Sequence, residues 1–260
     1  MQQGPVSTGA EAQLAAQLDH VPGEDTWLAT IAGYVDTLGF VALFGLFTAH
    51  VTGNFILIGS GLAGAGTGLL IKWLAFPAFV AGIVLARVLD NQLLARGHGV
   101  RACALYVLQA ALLTGFMAAG VLAAPITDSD APLTIACGLL GAAAMGVQNA
   151  HGRLVVRPGV PNTVMTGNVT QAVLDVIEIF SPATSSDAKA VSRARLGKML
   201  PTIVAFAAGA IIGALTYRHA GFWALLVPFA VLVWLAFNSR GGVETEAHAT
   251  TSATAANARK

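Results

Sequence analysis

Charge is scarce in this chain: only 10% of its 260 residues are Asp, Glu, Lys or Arg, and the formal net charge is +1. Such a balance offers no basic field for nucleic acid, so a nucleic-acid partner is not expected. Cysteine is scarcer still. Cys103 and Cys137 both fall in apolar stretches and match no metal spacing, which makes them small buried residues rather than ligands. No phosphate loop, dinucleotide fingerprint or zinc-protease motif is present, so neither ATP-driven nor nicotinamide chemistry is indicated, and no cofactor or metal is expected. The first 26 residues hold no Lys or Arg, which speaks against a secretory signal with its basic start.

What the chain has instead is apolar length. Hydrophobic residues make up 55% of it and the mean hydropathy is +0.70, far from the composition of a soluble domain. Crossing a hydrocarbon core of about 30 Å takes roughly 20 mostly apolar residues. Six segments qualify, near residues 27–47, 69–89, 103–124, 133–152, 200–217 and 221–237, the last two joined as a tight hairpin through Arg218-His219-Ala220. Residues 1–26 and 238–260 are too polar to offset ordering entropy and read as disordered tails, with a short surface helix open to residues 12–18.

Six crossings place both tails on one side. That side receives Arg96 and Arg101, then Arg153, Arg157, Lys189, Arg193, Arg195 and Lys198, then Arg240, whereas the other has Lys72, Arg218 and the acidic pair Asp128 and Asp130. The positive-inside rule then makes both termini cytoplasmic.

The chain also repeats itself. Gly33-Tyr34-Val35-Asp36 precedes Thr52-Gly53-Asn54, and Gly146-Val147-Gln148-Asn149 precedes Thr166-Gly167-Asn168. Gly33 to Gly146 and Asp36 to Asn149 are both separated by 113 positions, and the two threonines by 114. Gly82-x-x-x-Ala86 and Gly209-x-x-x-Gly213, each three residues after a Phe (Phe79, Phe206), match at 127, which places an insertion of 13 residues near 185–198. Such small-residue faces suit close packing of membrane helices. Two three-crossing halves, residues 27–124 and 133–237 with a connection at 125–132, must be inverted relative to each other. The fold expected is an all-α membrane protein of six transmembrane helices in two inverted three-helix repeats, each with a Thr-Gly-Asn helix break.

After the first break, residues 55–63 are too short to cross and too apolar for a water-exposed loop, which fits a half-inserted segment. After the second, Val169, Val173, Val176, Ile177 and Phe180 repeat at helical spacing, the mark of an amphipathic helix. At each break Thr offers a capping oxygen, Gly close backbone approach, and Asn an amide. Broken backbone at membrane depth must face protein or a wet cavity. Asp36 lies about ten residues into the first segment, at a cost of roughly 2.5 to 3.5 kcal/mol at mid-membrane. It therefore faces the interior, either for function or for an interhelix hydrogen bond. His50 and His151, near segment ends, are candidate proton relays. Arg87 and Asp90 read as a helical pair.

These motifs, with the flanking Thr37-Leu38-Gly39-Phe40, Ala49-His50-Val51 and Thr163-Val164-Met165, resemble the YoaK-like bacterial integral membrane proteins, a family of unknown function, over residues 33–237. The resemblance implies a plasma (inner) membrane protein of a bacterium with about six helices, and supplies no substrate. The leading expectation is a permease, not an enzyme, in which Asp36, Thr52, Gly53, Asn54, Asn149, Thr166, Gly167 and Asn168 bind a small solute between the halves. Its partners would be the lipid bilayer and that solute, with self-association left open. The alternatives are an accessory membrane subunit and an intramembrane enzyme. For an enzyme, Ser60 and the widely separated His50 and His151 offer too little to assign a catalytic residue.

Overall fold

The computed structural model describes residues 23–155, 163 and 165–239. The expected tails, apart from their inner ends, and with them Arg157 and Arg240, lie outside these residues. The described residues are helical and contain no strand. In chain order the helices are α1 (Glu24–Ala42), α2 (Gly53–Leu62), α3 (Leu69–Gln92), α4 (His98–Ala123), α5 (Pro132–Leu154), α6 (Met165–Phe180) and α7 (Ser186–Ala220). A 3-10 turn at Gly221–Leu225 leads into α8, residues 226–239.

Four helical stretches are long and apolar enough to cross a membrane: Leu69–Gln92, His98–Ala123, Pro132–Leu154 and Ser186–Ser239. The expected fifth and sixth segments thus share one stretch, bent at Gly221, whose φ of 56° admits glycine most easily. The expected first segment is α1, whose nineteen residues carry Glu24, Asp25 and Asp36 and so fall short of that apolarity. It begins at Glu24, three residues inside the region read from sequence as tail, because Glu24 and Asp25 suit the positive end of a helix. Despite its carboxylates α1 is mostly buried. It packs on α7, and α3 packs on α5.

Both pairs meet through glycine. A β-carbon on Gly33 would run into the carbonyl oxygen of Phe206, and one on Gly209 into that of Thr30. In the other pair, a β-carbon on Gly146 would meet the carbonyl of Phe79, and one on Gly82 that of Ala143. The two crossings correspond residue for residue, since Thr30 and Ala143 are separated by the same 113 positions as Gly33 and Gly146. Gly213, the end of the second small-residue face, packs on the carbonyl of Tyr34, and its counterpart Ala86 is fully buried.

The segments after the two breaks are helices whose apolar residues face outward. In α2, Ile56 is 77% exposed, and Phe55 and Leu62 are exposed as well. In α6 the stripe Val169, Val173, Val176, Ile177 and Phe180 is exposed, Phe180 by 80%, while Asn168, Ala172 and Asp175 are buried. This reverses the usual sidedness of an amphipathic helix in water. Asp175 turns inward because α7 carries a partner for it: Arg195 donates from Nε to both Asp175 oxygens, at 3.0 and 2.8 Å, while Ser192 donates to the exposed Glu178.

The Arg195 guanidinium holds the Asp175 carboxyl below the ordinary carboxylate range against the opposing effect of burial. The folded carboxyl therefore binds its proton less readily than the unfolded one. The stabilisation is in place above the ordinary carboxylate pKa of about 4 and is lost as acid protonates Asp175. The hydrogen-exchange protection of α6, relative to the intrinsic rate at each pH, should consequently drop as the pH falls below about 4, and Asp175→Asn should remove that acid-dependent step. An unchanged acid profile in the variant would exclude this ion pair as the tether.

Candidate functional site

α1 stops at Ala42 because the chain turns: Leu43 still donates to the Gly39 carbonyl, then Phe44 and Gly45 take φ of 53° and 78°. A non-glycine residue in that region is costly and needs support. The Lys72 ammonium supplies it. From α3 it donates to the Phe44 carbonyl at 2.7 Å and also to that of Thr67. Its positive charge is thereby spent on orphaned carbonyls of the bend.

The backbone N–H groups after the bend find no helical partner, and Asp36 takes them. Its Oδ1 accepts from Thr48 N and Ala49 N, both at 2.7 Å, and from His50 N at 3.4 Å. Its Oδ2 lies 2.7 Å from His50 Nδ1. The carboxylate, 4% exposed, is thus a clasp for the broken backbone and the anchor of an imidazole. His50 lies beyond the end of α1, outside the spanning segments, and the hydrogen bond to Asp36 raises its pKa while burial opposes the shift. The imidazole side chain stays about one-third exposed, so it can exchange protons. Its ring also stands edge-on to Phe206 of α7, with centroids 5.5 Å apart, at the residue whose carbonyl Gly33 touches.

The first Thr-Gly-Asn divides its labour differently from the expectation. Thr52 occupies the N-cap of α2, but its side chain makes no capping bond and is exposed. Asn54 braces the loop instead. Its Oδ1 accepts from Phe47 N at 2.9 Å while its Nδ2 donates to Phe47 O at 2.8 Å, so one buried amide closes the strip between them. Gly53 leaves room for the Phe47 ring, which a β-carbon would touch at 3.0 Å.

In the second break α6 starts at Met165, so Thr166, Gly167 and Asn168 form its first turn rather than a cap. Thr166 and Gly167 are exposed and Asn168 is buried, near Met165 Sδ. Asn149, the counterpart of Asp36, donates to Thr163 Oγ1 at 2.8 Å. A carboxylate in one half and an amide in the other thus hold the chain just ahead of their respective Thr-Gly-Asn motifs.

His50 and His151 belong to different clusters. His151, buried on α5, stacks on Tyr106 with ring centroids 4.6 Å apart and has its Nε2 3.9 Å from Glu24, to which Tyr106 donates its hydroxyl. One helical turn deeper, Gln109 donates to Gln148 at 2.7 Å and Gln148 donates to the Leu28 carbonyl at 2.7 Å. In the opposite direction along α4, nearer its start, Arg101 bonds Asp90 at 2.7 Å and the Leu154 carbonyl at 3.1 Å. Asp90 also keeps the expected Arg87 contact, at 3.4 Å, but the closer partner comes from α4. Two polar layers therefore pin α1, α4 and α5 together, and the third ties α4 to α3 and α5. Glu24, Tyr106, Gln109, Gln148 and Lys72 had no site role assigned from sequence. The amides were visible as polar residues inside apolar runs, the signal that a membrane interior normally demands a partner. Ser60 donates to the Ala65 carbonyl at 2.7 Å, closing the turn after α2.

Over residues 26–238 the chain matches the model of a family described as a protein of unknown function, DUF1275. The chain belongs to that family. This is the YoaK-like family that its motifs resemble. No curated protein and no solved structure matches the chain. Within DUF1275, then, the functional reading rests on the breaks, the clasps and the crossings themselves.

Proposed function

We propose that this DUF1275 protein is a small-solute permease of the bacterial inner membrane, with both termini cytoplasmic and its site between two inverted repeats. The observation that carries the reading is the paired crossing: Gly33 on Phe206 and Gly209 on Thr30 in one place, Gly146 on Phe79 and Gly82 on Ala143 in the other. Each helix that leads to a break is clamped to a helix of the opposite half. A motion of one half against the other would therefore act directly on both breaks, the arrangement on which alternating access depends.

The protonatable element of the proposed carrier is the His50 and Asp36 pair. The imidazole faces α7 and is anchored by a carboxylate that also holds the break, so protonation and loop position are coupled through one side chain. Asn149 cannot titrate, which leaves proton coupling to the first half.

The test is purified protein in liposomes under an imposed pH gradient, scanned over a broad panel of labelled solutes. Wild type should show gradient-dependent accumulation of at least one solute, and Asp36→Asn and His50→Gln should reduce it at least tenfold. Absence of flux for every solute, or full flux in both variants, would remove the basis for a proton-coupled permease.

A further inference from the structure

Between α4 and α8 runs a groove of about 370 Å³, within the size range of small-molecule sites. Tyr106, Val107 and Ala110 of α4 form one wall, and Phe229, Leu232 and Phe237 of α8 the other. The polar side-chain groups in the lining are the Tyr106 hydroxyl, committed to Glu24, and the weakly polar thiol of Cys103. The groove therefore offers too few partners to hold water or a polar ligand, because a water needs two to four.

Its place in the fold narrows the occupant. Tyr106 to Ala110 lie in the first half of α4, and Phe229 to Phe237 run toward the last turns of α8, so the groove lies toward the end of the bundle that carries Arg96 and Arg101. It opens outward, where Val107 is 53% and Phe237 71% exposed. An open apolar groove on the outer face of the bundle suits a thin, flexible hydrocarbon chain.

At the basic end the charges complement a phosphate. Arg101 is engaged by Asp90 and the Leu154 carbonyl. Arg96, in the short connection just ahead of α4, is exposed and has no carboxylate partner among the described residues. We infer that the groove is a binding site for one anionic phospholipid, an acyl chain lying between α4 and α8 and the phosphate at Arg96. This site does not depend on transport and stands or falls separately from the permease reading.

Native mass spectrometry of the full chain, released from nanodiscs of either phosphatidylglycerol or phosphatidylcholine, tests it. Wild type should retain one phosphatidylglycerol per chain and several-fold less phosphatidylcholine. Ala110→Trp, which fills the buried floor, and Val107→Trp, which closes the exposed mouth, should each lower retention at least tenfold. Arg96→Gln should abolish the preference for phosphatidylglycerol. Because Ala110→Trp can disturb packing, the mouth variant, checked for unchanged helicity and melting temperature, keeps the outcome decisive. No retained lipid in wild type, undiminished retention in a folded Val107→Trp protein, equal retention of the two lipids, or a protein dimer that the tryptophans dissociate would each overturn the inference.

Discussion

Gly33→Val and Gly146→Val are each expected to break the bundle, as a loss of monodisperse protein in detergent or a fall in Tm of roughly 6 to 12 °C. The reason is what a side chain would meet. At both positions the first obstacle is a carbonyl oxygen of the facing helix, of Phe206 or Phe79, and a backbone atom in a regular helix cannot turn aside as a side-chain end can. Overpacking typically costs about 1 to 3 kcal/mol where neighbours can shift, and more where they cannot. A loss of about 3 kcal/mol per crossing is therefore the expectation. Gly59→Ala is the matched control, because nothing lies within 4 Å of a β-carbon there and alanine favours the helix of which Gly59 is part. Wild-type stability in either valine variant would show that the crossings are looser than described.

Asp36→Ala and Asp36→Asn should separate by several kcal/mol in stability. Alanine leaves the N–H groups of Thr48 and Ala49 buried without an acceptor, and each orphaned donor costs about 1 to 3 kcal/mol. Asparagine keeps a carbonyl where Oδ1 now sits, so the bend survives while the anionic partner of His50 is gone. The expected pattern is a destabilised Asp36→Ala protein, roughly 2 to 6 kcal/mol below wild type, and a nearly wild-type Asp36→Asn protein. Both should lose the pH dependence of any transport. Equal stability of the two variants would mean that the carboxylate does not clasp the backbone.

The helices were legible from the sequence because apolar run length is set by geometry, but their ends were not all legible: α1 stops at Ala42 where the chain bends, and α7 starts at Ser186, 14 residues before the expected 200, because its first turns are polar. The glycine faces were legible as spacing, and their partners emerged as the aligned residues of the opposite half. The local work inside the breaks was not legible. Residue type alone favours Thr as a helix cap, but here the buried amide of Asn54 lies opposite both orphaned groups of Phe47, and proximity outweighed the preference. Glu24 was hidden for a different reason. Beside Asp25 and ahead of the apolar run it looks like tail, and only the fold brings Tyr106, 82 residues away, to meet it. The inward Asp175 of α6 depended on Arg195, in a segment that the sequence spacing marks as an insertion with no counterpart to compare.

The way the helices interleave also bears on how the chain comes together. α1 leans on α7 and α3 on α5, so neither half of the chain contains the helix that its own glycines meet. Severed within the span joining Ala123 to Pro132, the present protein should still assemble from its two fragments made together, whereas either fragment made by itself would be left a widow.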